Sequence, residues 1–281
     1  MKTIVITGGT DGIGRGLAQA YLERGDRAVV IGTNQAKGQS FLAAARRLGA
    51  EARASFIQAD LELINENIRL TEQLSAELDQ VNVLVLGARY LRSARVETAD
   101  GVESNFALSY LSRFLLSHGL IGLLDRAGDP VVLNFGGAGS FGTPQWNDLQ
   151  QRTNYHGLSA MVHAGILNAL LAVDFVDRYP ASNVRYVNNF PGTVSTSFAG
   201  DHDPTTAAQI AQLRVTGKPV EAAVDEILPF LEPGGYGRIT AVDEGRALPL
   251  DLEVSTIEDA RRLYDYTRHL LDNRSPGAPV D

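Results

Sequence analysis

The chain has 281 residues, 44% of them hydrophobic, with no cysteine and a formal net charge of −8. That length allows roughly two domains, although α/β folds of this size are routinely one. The acid excess argues against a nucleic-acid binder or an anionic-membrane protein, both of which need basic surfaces, and the lack of cysteine excludes disulfides and thiolate-ligated metals.

Strand-like runs alternate with helical segments from the start. IVIT (4–7) follows Met1 almost at once, so no signal peptide is expected and the protein reads as soluble and cytoplasmic. An apolar-periodic run then stops at Gly25, and RAVVIG (27–32) leads to a helix through FLAAARRL (41–48) that closes at Gly49. SFIQAD (55–60) and NVLVLG (82–87) are further strands. The most apolar long run, 105–124, contains Arg113 and His118 and repeats at helical spacing, which predicts a buried amphipathic helix rather than a membrane span. PVVLNFG (130–136), VRYVNNF (184–190) and RITAV (238–242) follow, and Ser255 with Glu258 has capping-box spacing ahead of the last helix. The expected architecture is α/β: a single Rossmann-type doubly wound domain over 1–272, with about seven parallel strands and helices on both faces. A small helical substrate lobe is expected over about 198–235, and the Pro/Gly-rich segment 273–281 reads as a flexible tail.

TGGTDGIG (7–14) lies between the first strand and the first helix. Glycines at 8, 12 and 14 permit a tight turn and close approach of backbone to a pyrophosphate, and the helix end offers free N–H groups to that anion.

This Gly-x-x-x-Gly-x-Gly spacing resembles the short-chain dehydrogenase/reductase superfamily, and other landmarks follow in order. Asp60-Leu61 is similar to the segment that recognises adenine, and PGTVST (191–196) to the segment that holds the nicotinamide carboxamide. WNDL (146–149) resembles the retinol-dehydrogenase-like branch. The resemblance implies a dinucleotide site formed by Gly8, Thr10, Asp11, Gly12, Ile13, Gly14, Thr33, Asp60, Leu61, Gly87, Pro191, Gly192, Val194 and Thr196. It also implies a homo-oligomer through the fourth and fifth helices, a dimer or tetramer. NADP is favoured over NAD because GTN (32–34), after the second strand, contains no acid; Arg15 would attract a 2′-phosphate or be a solvated surface residue, and Asp11 would repel one.

The family's proton-transfer groups are a tyrosine, a lysine four residues later, a serine and an asparagine. The alignment places Met161, Gly165, Gly137 and Ser109 at these positions, so the family's catalytic tetrad is missing from them. No lysine stands between Lys37 and Lys218, so no shift of register restores a Tyr-x-x-x-Lys pair. The Asn-Asn-Ala-Gly after the fourth strand is LGAR (86–89), which places Arg89 near the nicotinamide ribose.

Met161 and Gly165 are expected to leave a larger, drier pocket for a bulky apolar metabolite. Its polar candidates are Tyr155, Ser140, Ser109, Tyr90 and His156. Tyr155 could instead cap the helix entry or pack in the core, and Ser140 could stabilise a turn. Met161, Gly137, Phe198 and His202 are expected to line the substrate side. His163, about 200° around its helix from the pocket face, reads as packing or an oligomer contact. His118, His202 and His269 lack ligand spacing, so no metal is expected.

Three functions fit this pattern. The first is non-redox proton transfer, a dehydration, isomerisation or cyclisation, with the dinucleotide structural or absent. The second is NAD(P)H-dependent reduction of a conjugated enone or quinone-like compound. The third is a non-catalytic dinucleotide sensor or scaffold.

Overall fold

The structure, a computed structural model, describes residues 1–138, 142–250 and 252–273; the tail beyond Asn273 lies outside the described residues. In chain order the elements are β1 Thr3–Thr7, α1 Gly12–Glu23, β2 Arg27–Gly32, α2 Gln35–Arg47, β3 Ala54–Gln58, α3 Ile64–Glu77, β4 Val83–Leu86 and the short β5 Leu91–Arg92. A helical stretch follows, with α4 Ser104–Phe106, a π-turn over Ala107–Leu111, α5 Ser112–Gly119 and α6 Ile121–Leu124. Then come β6 Val131–Phe135, α7 Gly157–Arg178, β7 Arg185–Phe190, β8 Gly200–Asp201, α8 Pro204–Thr216, α9 Val220–Leu231, β9 Ile239–Asp243, β10 Arg246–Leu248 and α10 Val254–Asp272.

The main sheet runs β10-β9-β7-β6-β4-β1-β2-β3. Seven strands are parallel, as the alternation predicts, and β10 adds an antiparallel edge by pairing with β9. Its three residues are all exposed, so it leaves no apolar run to read. The sheet is buried on both sides. Val5, Val29, Ile31, Leu84, Leu86 and Val132 face the layer of α3, α5, α7 and α10. Ile4, Ile6, Val30, Val83, Val85 and Leu133 face α1, α2 and α9. This period of two inside continuous apolar runs is what burial on both faces requires.

The chain leaves β1 toward β2 and β3, then returns to place β4 on the other side of β1. That reversal opens a crevice beyond the carboxyl ends of the strands, where ligands of such sheets bind. The Thr7 hydroxyl joins the two strand ends there, donating to Val85 O and accepting from the N–H groups of Gly87 (3.0 Å) and Ala88 (3.2 Å).

Three expectations change. The 105–124 helix is interrupted by the π-turn at Ala107–Leu111. The capping box fails at the backbone level, because α10 begins at Val254 with Glu253 at its N-cap. The lobe is shorter than 198–235, since Val224, Ile227, Phe230 and Leu231 of α9 belong to the core. Among the described residues one helix, Gly157–Arg178, is long and apolar enough to cross a membrane, and most of it is buried within the fold. The C-terminal helix α10 lies along α5 and α7: Tyr264 stacks on Phe114 at 5.4 Å, and Tyr110 meets Thr267 at 2.7 Å.

His118 on α5 sits among Phe114, Phe175, Tyr179 and Tyr264, with Asp174 3.8 Å from its Nε2. Burial, reinforced by Arg178 and Arg268, pushes its imidazole down to about 3. The unfolded chain therefore binds a proton here that the native state refuses, and stability falls as pH drops below the unfolded value near 6.5. Unfolding by urea between pH 7 and pH 5 should show a loss approaching about 1.4 kcal/mol per pH unit from this group. His118→Gln should remove that share of the slope.

Candidate active site

The turn between β1 and α1 holds its shape through its own contacts. The Asp11 carboxylate caps α1 by accepting from Gly12 N–H (2.8 Å), and Arg15 N–H donates to Asp11 O. The N–H groups of Ile13 and Gly14 precede that first intrahelical bond and point out of the helix end. A Cβ at Gly14 would lie 2.5 Å from Gly8 O, and one at Gly12 would lie 2.8 Å from Thr196 Cγ2. Both positions must therefore lack a side chain. The methyl group of Thr196 closes over the turn, so the segment predicted to hold the pyrophosphate faces the one predicted to hold the nicotinamide carboxamide.

Of the other predicted cofactor residues, Thr10 is buried beside Gly32, and Thr33 is exposed, its carbonyl accepting from Gln58. Asp60 is exposed and accepts from Glu62 N–H (3.1 Å), while the Leu61 side chain is in the core, leaving only its backbone for a ligand. Gly87 lies against Thr7 O, Pro191 is half-buried and Gly192 lies against Glu244. Val194 is buried and bridges to Lys218, whose N–H and carbonyl bind Thr193 O and Ser195 N–H. Sequence reasoning passed over Lys37. Its ammonium group pairs with the Asp11 carboxylate beside the turn. Burial alone would raise Asp11, but hydrogen bonds from Lys37, Ser197 and Gly12 outweigh it and hold the carboxyl below its usual range.

At the chemical end, Met161 and Gly165 stand one turn apart on α7, and the chain after β6 runs against them. Gly137 has φ +72°, and a Cβ there would overlap Gly165 O and lie 2.9 Å from Ala169 N. Backbone thus fills the space beside Gly165, and the expected enlargement does not occur at that point. The pocket is not dry either: Arg89 Nη2 lies 2.6 Å from Met161 Sδ.

Ser109 falls on the π-turn, a distortion frequent at functional sites. Its carbonyl accepts from Asn168 Nδ2 (2.8 Å), and Asn168 Oδ1 accepts from Asn134 Nδ2 (3.1 Å). Arg113, one turn after Ser109, donates to Asn134 Oδ1 (2.7 Å) and Phe135 O (2.5 Å). The run 105–124 displayed this arginine as its conspicuous charge, and the i, i+4 spacing from Ser109 was the signal that it points inward.

The remaining candidates form a different group. Tyr155 donates to Glu103 Oε1 (3.0 Å) and accepts from Asn105 Nδ2, next to the start of α4. Burial and the Glu103 charge raise its phenol above the usual tyrosine value. Glu103 is itself buried, which raises its carboxyl even though it caps Asn105 and Phe106 N–H. Tyr155 thus makes no cap bond to α7 and instead ties the segment before α7 to the start of α4. Tyr90 donates to Asp201 Oδ1 (2.8 Å), and β5 pairs with β8, so the segment after β4 is stitched to the segment after Thr196. Phe198, at φ +45°, accepts from His202 Nε2 within that stitch. His156 holds the N-cap position of α7 without a side-chain cap bond. His163 is buried and accepts from Gln145 N–H (3.0 Å), a packing role. Ser140 lies outside the described residues. No metal-binding cluster of His, Asp or Glu occurs among the described residues.

A doubly wound sheet with a glycine turn at its switch point defines a nucleotide-binding α/β protein, and comparison with known sequences gives the family. Residues 2–147 match the short chain dehydrogenase family, and the chain belongs to it. It is similar to Oxidoreductase AN1596 of Emericella nidulans, 29% identical over 211 residues that cover 70% of this chain and 63% of that protein. It is also similar to Retinol dehydrogenase 12 of Bos taurus, 29% identical over 197 residues covering 69% of this chain and 61% of that one. The match thus spans less than two thirds of either relative's length. A short-chain dehydrogenase from Sphingobium yanoikuyae, solved in complex with NADPH, shares the fold with a TM-score of 0.63 and 18% identity, covering 100% of this chain and 99% of that one.

Two glycine substitutions separate the roles in the Gly137–Gly165 contact. Gly137→Ala should cost about 1–3 kcal/mol in denaturant unfolding through overpacking. Gly165→Ala, whose Cβ would meet only Gly137 N at 3.4 Å, should be neutral or stabilising.

Proposed function

We propose that this protein is an NAD(P)-dependent oxidoreductase acting on a conjugated carbonyl, an enone or quinone-like compound. One observation carries the proposal. The nucleotide turn and the PGTVST segment are in place and in contact through Gly12 and Thr196, while the aligned proton-transfer positions carry Met161, Gly165, Gly137 and Ser109. The names of the relatives, oxidoreductase and retinol dehydrogenase, favour hydride chemistry over non-redox proton transfer.

The residues fit a dinucleotide. The side-chain-free turn and the Ile13 and Gly14 N–H groups would receive the pyrophosphate. Asp60 would meet the adenine, and Thr196 the carboxamide. When bound, the dinucleotide supplies the hydride. Neither Met161 nor Gly165 can move a proton, and this limits the acceptor. A simple ketone would build a localised alkoxide beside two groups unable to protonate it. A conjugated acceptor spreads the charge over its carbonyl and takes its proton from water afterwards. Lys37, beside the turn, favours the 2′-phosphate of NADP, and the absence of an acid in 32–34 agrees with this.

Calorimetric titration of the purified protein should show micromolar binding of NADPH and weaker binding of NADH. Lys37→Glu should weaken NADPH by about tenfold through loss of a charge-assisted contact, leaving NADH little changed. NADPH oxidation should then depend on an added naphthoquinone or enone. Cofactor binding with no oxidation by any conjugated acceptor would sink the proposal and favour the sensor; product formed without cofactor would favour non-redox chemistry.

A further inference from the structure

Two arginines flank the Met161–Gly165 turn of α7 without a carboxylate partner among the described residues. Arg113 is 5% exposed and donates only to neutral oxygens, Asn134 Oδ1 and Phe135 O, while its Nε meets no acceptor. Arg185, buried to the same degree at 6%, shows the ordinary solution: it holds the Asp129 carboxylate with both Nε and Nη2. Burying a cation without a counter-charge is costly, and a fold that retains one needs a reason.

The second cation is Arg89, which occupies the glycine position of the aligned Asn-Asn-Ala-Gly segment. Its guanidinium rests on the uncharged sulfur of Met161. The side chain is reachable by solvent but closely flanked by protein, and desolvation holds it below the usual arginine range. Arg113 is pushed down to about 10 by burial, and both arginines lie against the same turn of α7: Arg89 rests on Met161, while a Cβ at Gly136, beside Arg113, would lie 4.0 Å from Gly165 Cα. Gly136 stands against Arg113: a Cβ there would lie 3.3 Å from Nη1. In a chain with net charge −8, two guanidinium groups beside one helix turn without a carboxylate partner among the described residues form a local positive field.

We propose that this place is an organic-anion site: the acceptor carries a carboxylate or delocalised oxyanion that docks on Arg89, with Arg113 fixed beside Gly136 as a second positive charge. Arg89 is the group that touches the ligand, and Arg113 is a positioning residue acting through the field. The inference deepens the oxidoreductase reading and rests on the same pocket. It replaces the bulky apolar metabolite with an acidic one.

The test is equilibrium binding by calorimetry to the full-length protein without cofactor, so it does not depend on turnover. The probes are a hydroxynaphthoquinone, anionic at neutral pH, and the uncharged naphthoquinone of the same shape. The wild-type protein should bind the anion about tenfold more tightly. Arg89→Gln, on an accessible side chain, should abolish that preference by weakening binding of the anion far more than that of the neutral probe. Arg89→Lys should restore part of it, and added salt should weaken only the anion. Equal binding of the two probes, binding of neither, or a preference that survives Arg89→Gln would overturn the proposal. Loss of the preference in Arg89→Gln, together with failure of NADPH to bind, would retain the anion site and reject the oxidoreductase reading.

Discussion

At Gly137 the chain leaving β6 meets α7 with only backbone between them, and the layout of the pocket follows from that approach. Any side chain at 137 would strike Gly165 O, so strand end and helix lie closer than two ordinary residues allow. The contact places Met161 one turn from a wall of backbone. It also leaves the pocket's polar character to side chains from other elements: Arg89 after β4 and Arg113 on α5. Interiors this dense transmit position from one element to the next, so the single glycine at 137 can govern groups remote in sequence.

A second constraint is polar. Asn134, Asn168, Tyr186, Ser117 and Arg113 form a buried network between β6, β7, α5 and α7. Asn168 reaches from α7 to the π-turn at Ser109 and to β6, so it ties the distorted turn to the sheet. Such networks rigidify when satisfied and are expensive when partly satisfied. The orphaned Nε of Arg113 and Oδ1 of Asn188 mark where this one is incomplete. Meanwhile the glycine turn is capped locally by Asp11 and tied to the end of β4 by Thr7, outside the network. The turn's shape is therefore set in large part by neighbouring residues, and the rest of the crevice by long-range packing.

That division decides what the sequence could disclose. Parallel strands buried on both faces become continuous apolar runs, so β1, β2 and β4 were legible nearly to the residue, and Gly25 and Gly49 marked two helix ends. The two-residue strands β5 and β8 and the exposed β10 carry no such pattern and were missed. The glycine turn was legible because its requirement is local. The pocket's polarity was not, because Arg89 meets Met161 across 72 positions of chain, and periodicity cannot register such a meeting. Tyr155 was ambiguous for the same reason: its partner Glu103 lies 52 residues away. Lys37 went unnoticed because its partner Asp11 belongs to another turn of the fold.

The C-terminal helix has a further role in closing the core. Its residues Ala260, Leu263 and Leu270 join the same apolar cluster as Phe114, Leu170 and Phe175, and Arg178 lies over the Tyr264 ring at 3.3 Å. It therefore occupies, within one molecule, faces of α5 and α7. A chain ending before Val254 would expose that cluster to water. Exposed apolar patches of that kind promote aggregation, so the last helix acts as the cap that keeps this flank of the core covered within one molecule.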